Sequence, residues 1–247
     1  MFLHENVVDC VVLAFDEGVL KVLLLKWKVG SFWSLPGGYV MSQESLDDAA
    51  ARILADRTGL GEAYLEQFHT FSDPTRAFVS SPKDVSTVTE MMKELDPKGD
   101  LGFIDWLTKR FLSTGYLSLV RLSETKVSPD FLIDSCHWID VTKLPPLGGD
   151  HDRIVGTAVE HLRKAIRYSP IGLSLLPERF LMKDFQQMYE AILDTSLDRS
   201  NFQRKILKHN ILIRHEKRMS GGAHRAPYLY SFDHQRYSAK ARSGLLS

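Results

Sequence analysis

Cysteine is nearly absent, with Cys10 and Cys136 the two among 247 residues. Two distant thiols make no disulfide framework and show no metal-ligand spacing, so both read as buried, reduced thiols of a cytoplasmic protein. Also missing is an apolar run of about 18 residues, which excludes a membrane-spanning helix. The opening "MFLHENVVDC" has no basic stretch ahead of an apolar one, so no signal peptide is expected. Internal repeats and low-complexity tracts are lacking as well. Net charge is zero, but by cancellation. From Ser196 onward eleven bases stand against Asp198, Glu216 and Asp233, a net +8, which leaves −8 on residues 1–195. An acidic body with a basic end suggests a polyanion partner; the plain alternative is a solvated basic surface.

What is present divides into two halves. "VVDCVVLAF" and "VLKVLLLKW" are β-branched apolar runs separated by "DEG", a hairpin signal. "FWSLPGGYV" reads as a short strand and a glycine turn. A helix comes next, with Ser45 and Asp48 at capping-box spacing and Gly59 as its C-cap. "YLEQFHTF", "RFLSTGYLSLVRL" and "CHWIDVTKLP" are further strands. Between the first two lies an insertion at about 77–109, with a helix expected over Val85 to Leu95. "DHDRIVGTAVEHLRKAIRY" is an amphipathic helix, and the boundary is expected just beyond it, giving domains 1–168 and 169–247.

The second half has the order helix, short turn, helix, hairpin. "DFQQMYEAIL" places Phe185, Met188, Tyr189 and Ile192 on one face. After "DTSLD", Asp198 caps a helix whose Phe202 and Ile206 point inward. Asn201, Arg204, Lys205 and Lys208 then share the opposite face. "ILIRHEKRM" and "PYLYSF" form a hairpin across "SGGAHRA". That order, with the basic face, describes a winged helix-turn-helix. Ser200, Asn201, Gln203, Arg204, Lys205, Lys208 and the hairpin-tip Arg225 are the DNA-contact candidates. The competing reading is a helical hairpin with solvated charges.

Residues 38–60 resemble the Nudix box, G-x5-E-x7-R-E-U-x-E-E-x-G-U, where U is a bulky aliphatic. Gly38, Glu44, Arg52, Leu54, Gly59 and Leu60 match it in register. Where the resemblance places metal-binding glutamates, this chain has Ile53, Asp56 and Arg57. Mg²⁺-assisted hydrolysis needs several converging carboxylates, and Arg57 repels the cation. No metal, no catalytic residue and no cofactor is therefore expected. The retained residues are structural: Gly38 for the turn, Glu44 and Arg52 tying loop to helix.

Both halves together are similar to the Nudix-related transcriptional regulators of the NrtR type, through "LPGGYV", "GGDHDRI", "GLSLLPERF", "FQQMYEAIL", "DRSNFQRKIL" and "HRAPYLYSF". The resemblance implies an α+β fold: a Nudix-like mixed sheet and helix sandwich, then a winged helix-turn-helix. It implies an effector-responsive, DNA-binding repressor of homodimeric form. One branch of that family binds ADP-ribose and controls NAD metabolism; another binds L-arabinose and controls sugar use. "ESLDDAAARIL", "TGL", "SPIG" and "LLP" look closer to the sugar branch. A sugar site wants carboxylates, amides and an aromatic face, which nominates Glu44, Phe71, Asp73, Arg76, Tyr116, Asp150 and His151. Taken singly these have structural readings, Asp150 as a helix cap and His151 as first-turn surface. Two other functions compete: a pyrophosphatase whose carboxylates come from Glu90, Glu94 or Asp105, and a domain that only binds a nucleotide or a partner protein.

Overall fold

The structure is a computed structural model describing residues 2–28, 32–60, 63–76, 85–86, 89–90, 93, 110–126, 133–166, 174–218 and 226–241. It divides into two compact units, Met1–Leu13 with Lys21–Ala158, and Ala14–Leu20 with Val159–Ser247. The division falls inside a helix, ahead of the 168/169 boundary expected from sequence. The reason is local: Arg163, in that helix's last turns, donates to the Ile192 carbonyl at 2.8 Å and so belongs with the second unit. No helix among the described residues is long and apolar enough to cross a membrane.

The first unit is built on one sheet, apart from the hairpin end at residues 14–20, which falls to the second unit. Its strands are β1 (Phe2–Asp16), β2 (Val19–Trp27), β3 (Trp33–Ser34), β4 (Gly37–Met41), β5 (Tyr64–Phe71), β6 (Leu112–Val120) and β7 (Ile133–Asp140). The sheet order is β3-β2-β1-β6-β5, with β4 also paired to β1 and β7 to β2. β1 is central, and Val8, Cys10, Val11, Val12, Leu13 and Ala14 on both of its faces are buried. That is why it reads as a continuous apolar run rather than an alternating one. Glu17 (φ 48°) and Gly18 (φ 83°) turn the β1–β2 hairpin. Two left-handed residues match the twist of the strands they join. Cys10 is buried as expected; Cys136 is only half-buried, a correction that follows from its place on β7.

Helix α1 (Leu46–Thr58) has the caps expected of it. Ser45 Oγ accepts from Asp48 N at 3.1 Å, and the Asp48 carboxylate accepts from Ser45 N at 3.2 Å. Gly59 ends the helix at φ 70°. Ala49, Ala50, Ile53 and Leu54 are buried, so Ile53 is a core residue. The Gly37–Gly38 pair, expected to turn, instead lies within β4, opposite Asp9 and Val8 of β1. Close approach explains it: a Cβ on Gly37 would lie 2.5 Å from Asp9 Oδ1, and one on Gly38 would lie 3.2 Å from Ile53. Helix α2 (His151–Ala165) buries Ile154, Val155, Ala158 and Leu162. Of the insertion at 77–109 only residues 85–86, 89–90 and 93 are described, all helical. Most of the expected Val85–Leu95 helix, with Glu94 and Asp105, lies outside the described residues.

The second unit is a winged helix. It contains β8 (Phe180–Leu181), α3 (Met182–Leu193), α4 (Arg199–Lys208), β9 (Leu212–Lys217), β10 (Tyr228–Phe232) and α5 (His234–Ala241). The sheet order is β8-β10-β9. β8 and α5 have no counterpart in the sequence reading, the first being two residues long and the second lacking a strong apolar stripe. Phe185 holds the unit together, with ring centroids of Phe180, Tyr189, Phe202 and Phe232 all within 5.6 Å. Such edge-to-face contacts add to the gain from burying the rings themselves. We expect Phe185→Ala to destabilise this unit by about 3–5 kcal/mol. Hydrogen exchange in peptides spanning 199–208 should lose protection accordingly, whereas unchanged protection would show that α4 is anchored some other way.

Candidate functional site

The Asp73 turn starts the first site. Asp73 Oδ1 accepts from Thr75 N and Oγ1 at 2.9 and 2.7 Å, and its carbonyl accepts from Arg76 N at 3.1 Å. The turn delivers Arg76 inward, where its side chain is 2% exposed. Its Nε lies 2.9 Å from Asp150 Oδ1, its Nη2 lies 3.2 Å from Asp9 Oδ2, and the guanidinium stands 4.4 Å from the centre of the Phe111 ring. Ser113 Oγ donates to the same Asp9 oxygen. Asp9 thus joins β1 to Arg76 and to β6.

His151 completes the group. Leu35 N donates to its Nδ1 at 3.0 Å, so in the neutral ring the proton sits on Nε2, 3.7 Å from Asp9 Oδ1. Burial holds its pKa below the usual imidazole range, outweighing the opposing pull of Asp9, and the Arg76 charge adds to the depression. His151 is buried, not first-turn surface, and the Asp150 side chain is turned to Arg76.

Above this group lies a cavity of about 230 Å³. Trp27, Tyr39 and Phe111 supply aromatic surface, Val7, Leu25, Leu35 and Ile133 apolar surface, and Asp9, Ser34, His151 and Arg57 polar groups. Ser34 Oγ accepts from Trp27 Nε1 at 2.8 Å and fixes the indole. A second cavity of about 180 Å³ adjoins it, lined by Met41, Arg52, Ile53 and Asp56. Gly37, Gly38, Tyr39 and Arg57 line both.

Of the seven effector candidates, His151 alone lines the larger cavity, while Arg76 and Asp150 support it from behind. The other four have partners within the fold. Glu44 accepts from Arg52 Nε at 3.0 Å, Arg52 Nη2 at 2.6 Å and Met41 N at 2.8 Å, the loop-to-helix tie expected for it. Phe71 is buried against His69, with Arg153 6.0 Å from its ring centre. Tyr116 is buried, with its hydroxyl on Asp47. Asp73 is committed to its turn. Asp9, Trp27, Ser34, Tyr39, Arg57 and Phe111 were not among the sequence candidates; strand pairing gathers the first four, while Arg57 comes from the last turn of α1 and Phe111 from just ahead of β6. The retained glycine pair was the available signal, since it left room beside Asp9.

A metal does not fit the second cavity. Ile53 is buried in the core, Asp56 is exposed and Arg57 brings a positive charge. Among the described residues no three His, Cys, Asp or Glu side chains are grouped to hold an ion. Of the alternative carboxylates Glu90 is described, while Glu94 and Asp105 lie outside.

The second site is on α4. Asp198 caps it, accepting from Asn201 N at 2.8 Å. Phe202 and Ile206 are buried, whereas Ser200, Asn201, Arg204, Lys205 and Lys208 are exposed and Gln203 is half-buried. Arg204 Nη2 donates to Asn201 Oδ1 at 2.8 Å, so these two present one polar face. The turn before α4 is fixed by Glu190, which accepts from Leu197 N at 2.8 Å and Gln186 Nε2 at 3.0 Å. Those bonds hold the Glu190 carboxyl below its ordinary pKa. On the wing, Arg214 and Lys217 lie 4.7 and 5.2 Å from the centre of the exposed Tyr228 ring. Arg225 lies outside the described residues.

Comparison with known proteins matches a family to each half of the chain. The NUDIX domain family matches residues 3–156, and the NrtR DNA-binding winged helix domain matches residues 172–232. A relative described as the ADPR responsive transcriptional repressor NtrR of Acinetobacter baylyi is 26% identical over 239 residues, covering 93% of this chain and 82% of that protein. The crystal structure of Shewanella oneidensis NrtR complexed with a 27mer DNA is similar in fold, with a TM-score of 0.67 and 24% identity over 94% of this chain and 95% of that one. A MutT/nudix family protein from Enterococcus faecalis gives a TM-score of 0.62 at 20% identity, over 93% of this chain and 86% of that one.

The His151 environment predicts a pH dependence. Its folded-state pKa lies below the unfolded value of about 6.5, so its contribution to stability is complete above that pH. The contribution is lost as the pH falls from there toward the folded pKa. His151→Gln can still accept from Leu35 N but does not titrate. Its melting temperature should fall less steeply than the wild type's between about pH 6.5 and pH 5. Parallel slopes would place the acid sensitivity elsewhere.

Proposed function

This chain belongs to the NrtR-type family, a NUDIX domain followed by an NrtR winged helix, and from that premise we propose that it is an ADP-ribose-responsive repressor that does not hydrolyse its effector. DNA-binding transcriptional regulation is the family's function. The finer reading rests on one observation, the aromatic cavity and a second one that share Gly37, Gly38, Tyr39 and Arg57 as lining. Such a pair has room for a ligand longer than one pentose. The Acinetobacter relative, described as ADPR responsive, supports the same choice. The expectation of L-arabinose finds no such support among the relatives. Loss of turnover follows from Ile53 and Arg57 standing where carboxylates would have to gather. Pairing of two chains follows from the habit of helix-turn-helix proteins of reading paired half-sites.

For an effector to act, it must bind the DNA-competent and DNA-incompetent states with different affinity. ADP-ribose should therefore change operator affinity in a fluorescence-anisotropy titration, and operator should change ADP-ribose affinity by the same factor. Chromatography of the same mixture with Mg²⁺ should return the ligand intact. A response to L-arabinose but not to ADP-ribose would replace the effector, and released AMP would make the protein an enzyme.

The α4 face predicts a division of labour. Arg204 and Lys205 lie about 100° apart around the helix. Arg204, held by Asn201, is assigned to a base edge and Lys205 to phosphate. Arg204→Ala should cost about 1–3 kcal/mol and relax preference at one base position. Lys205→Ala should weaken all sequences alike and lower the salt slope by about one unit. A double variant with unchanged affinity and specificity would remove α4 as the reader.

A further inference from the structure

The last turn of α1 places a cation where the two cavities of the first unit meet. Arg57 is half-buried and lines both, beside the Gly37–Gly38 pair that presents bare backbone. A plain reading makes Arg57 a complement to the negative end of α1. A second guanidinium lines the smaller of the two cavities. It is that of Arg52, with Nε and Nη2 bound to Glu44 and Tyr39 O, while its Nη1 makes no hydrogen bond among the described residues. Asp56, the one acidic group lining that cavity among the described residues, is exposed. Forked guanidinium groups match the oxygens of a phosphate in a way that carbonyls and hydroxyls of a sugar do not.

We propose that Arg57, assisted by Arg52, binds the diphosphate of the effector directly and takes the place of a divalent cation. The ligand class is a diphosphate ester whose ring end enters the cavity of Trp27, Tyr39 and Phe111 while its phosphates lie over Gly37–Gly38. Neutral sugars and nucleosides reach only the aromatic part. Binding of the phosphates is accordingly independent of Mg²⁺. This assignment rests on the diphosphate reading of the effector and gives that reading its mode of recognition.

Titration calorimetry on the full chain tests it, with ADP-ribose, inorganic pyrophosphate and adenosine, each in excess EDTA and in millimolar Mg²⁺. Wild-type protein should bind ADP-ribose equally in both media. Arg57→Gln should weaken ADP-ribose and pyrophosphate by about tenfold to a hundredfold and leave adenosine unchanged, with Arg57→Lys in between and the melting temperature preserved. Binding of ADP-ribose that requires Mg²⁺, or that survives in Arg57→Gln, overturns the role of Arg57 while the effector reading stands. Binding of pyrophosphate but not ADP-ribose, with the same dependence on Arg57, does the reverse. No binding of either diphosphate overturns both. The comparison of EDTA with Mg²⁺ is made on wild-type protein and decides the matter even if a variant fails to fold.

Discussion

The first unit depends on one buried guanidinium. Arg76 meets Asp9 from the central strand and Asp150 from the start of α2, and stacks on Phe111. Without it the buried Asp9 carboxylate would have no guanidinium beside it. Removing one partner of such a buried pair costs about 3–5 kcal/mol, because the other charge is left uncompensated. Through Asp9 the same charge reaches Ser113, His151 and, through His151, the backbone of Leu35. The floor of the aromatic cavity is therefore an electrostatic assembly before it is a packed one. Its order begins in the Asp73 turn, which aims the guanidinium.

Much of this was legible in the sequence, and the parts that were not share a cause. Periodicity and capping are local, so α1, with Ser45, Asp48 and Gly59, and α4, with Asp198, could be read along the chain. The Glu44–Arg52 tie was legible because both residues lie within one motif. The cavity walls were not: Val7, Trp27, Tyr39, Phe111 and Ile133 come from five separate segments joined by strand register. Nothing local marks Trp27 as a wall rather than a core residue. The effector candidates show the opposite limit. Phe71, Tyr116 and Asp73 have the right chemistry for a sugar, but their partners are internal. Type of residue was a weaker guide than the choice of neighbour. The glycine pair shows the same limit, since a turn and a close approach ask for the same residue.

The scaffold positions of the Nudix box and its metal-ligand positions differ in what this chain keeps. The residues that shape the glycine-loop-helix are kept, and those that would gather a cation are replaced by a core aliphatic, an exposed acid and a base. A helix whose inner face is committed to packing has little tolerance there: Ile53 fills the space beside Gly38. A regulator needs the concavity of such a scaffold, and the two cavities provide it.

The two-residue strand β8 bears on how the DNA-reading half can be handled by itself. Leu181 and Phe180 pair with Leu229 and Tyr230, and the Phe180 ring fills the space between Phe185 and Phe232. A fragment begun at the start of α3 would look complete by its helices. It would nonetheless carry an open hole in its core and a bare strand edge on β10, the two features that drive chains to pair with one another in solution. The smallest well-behaved piece must therefore begin upstream of Phe180, at residues that a helix-based boundary would discard as linker.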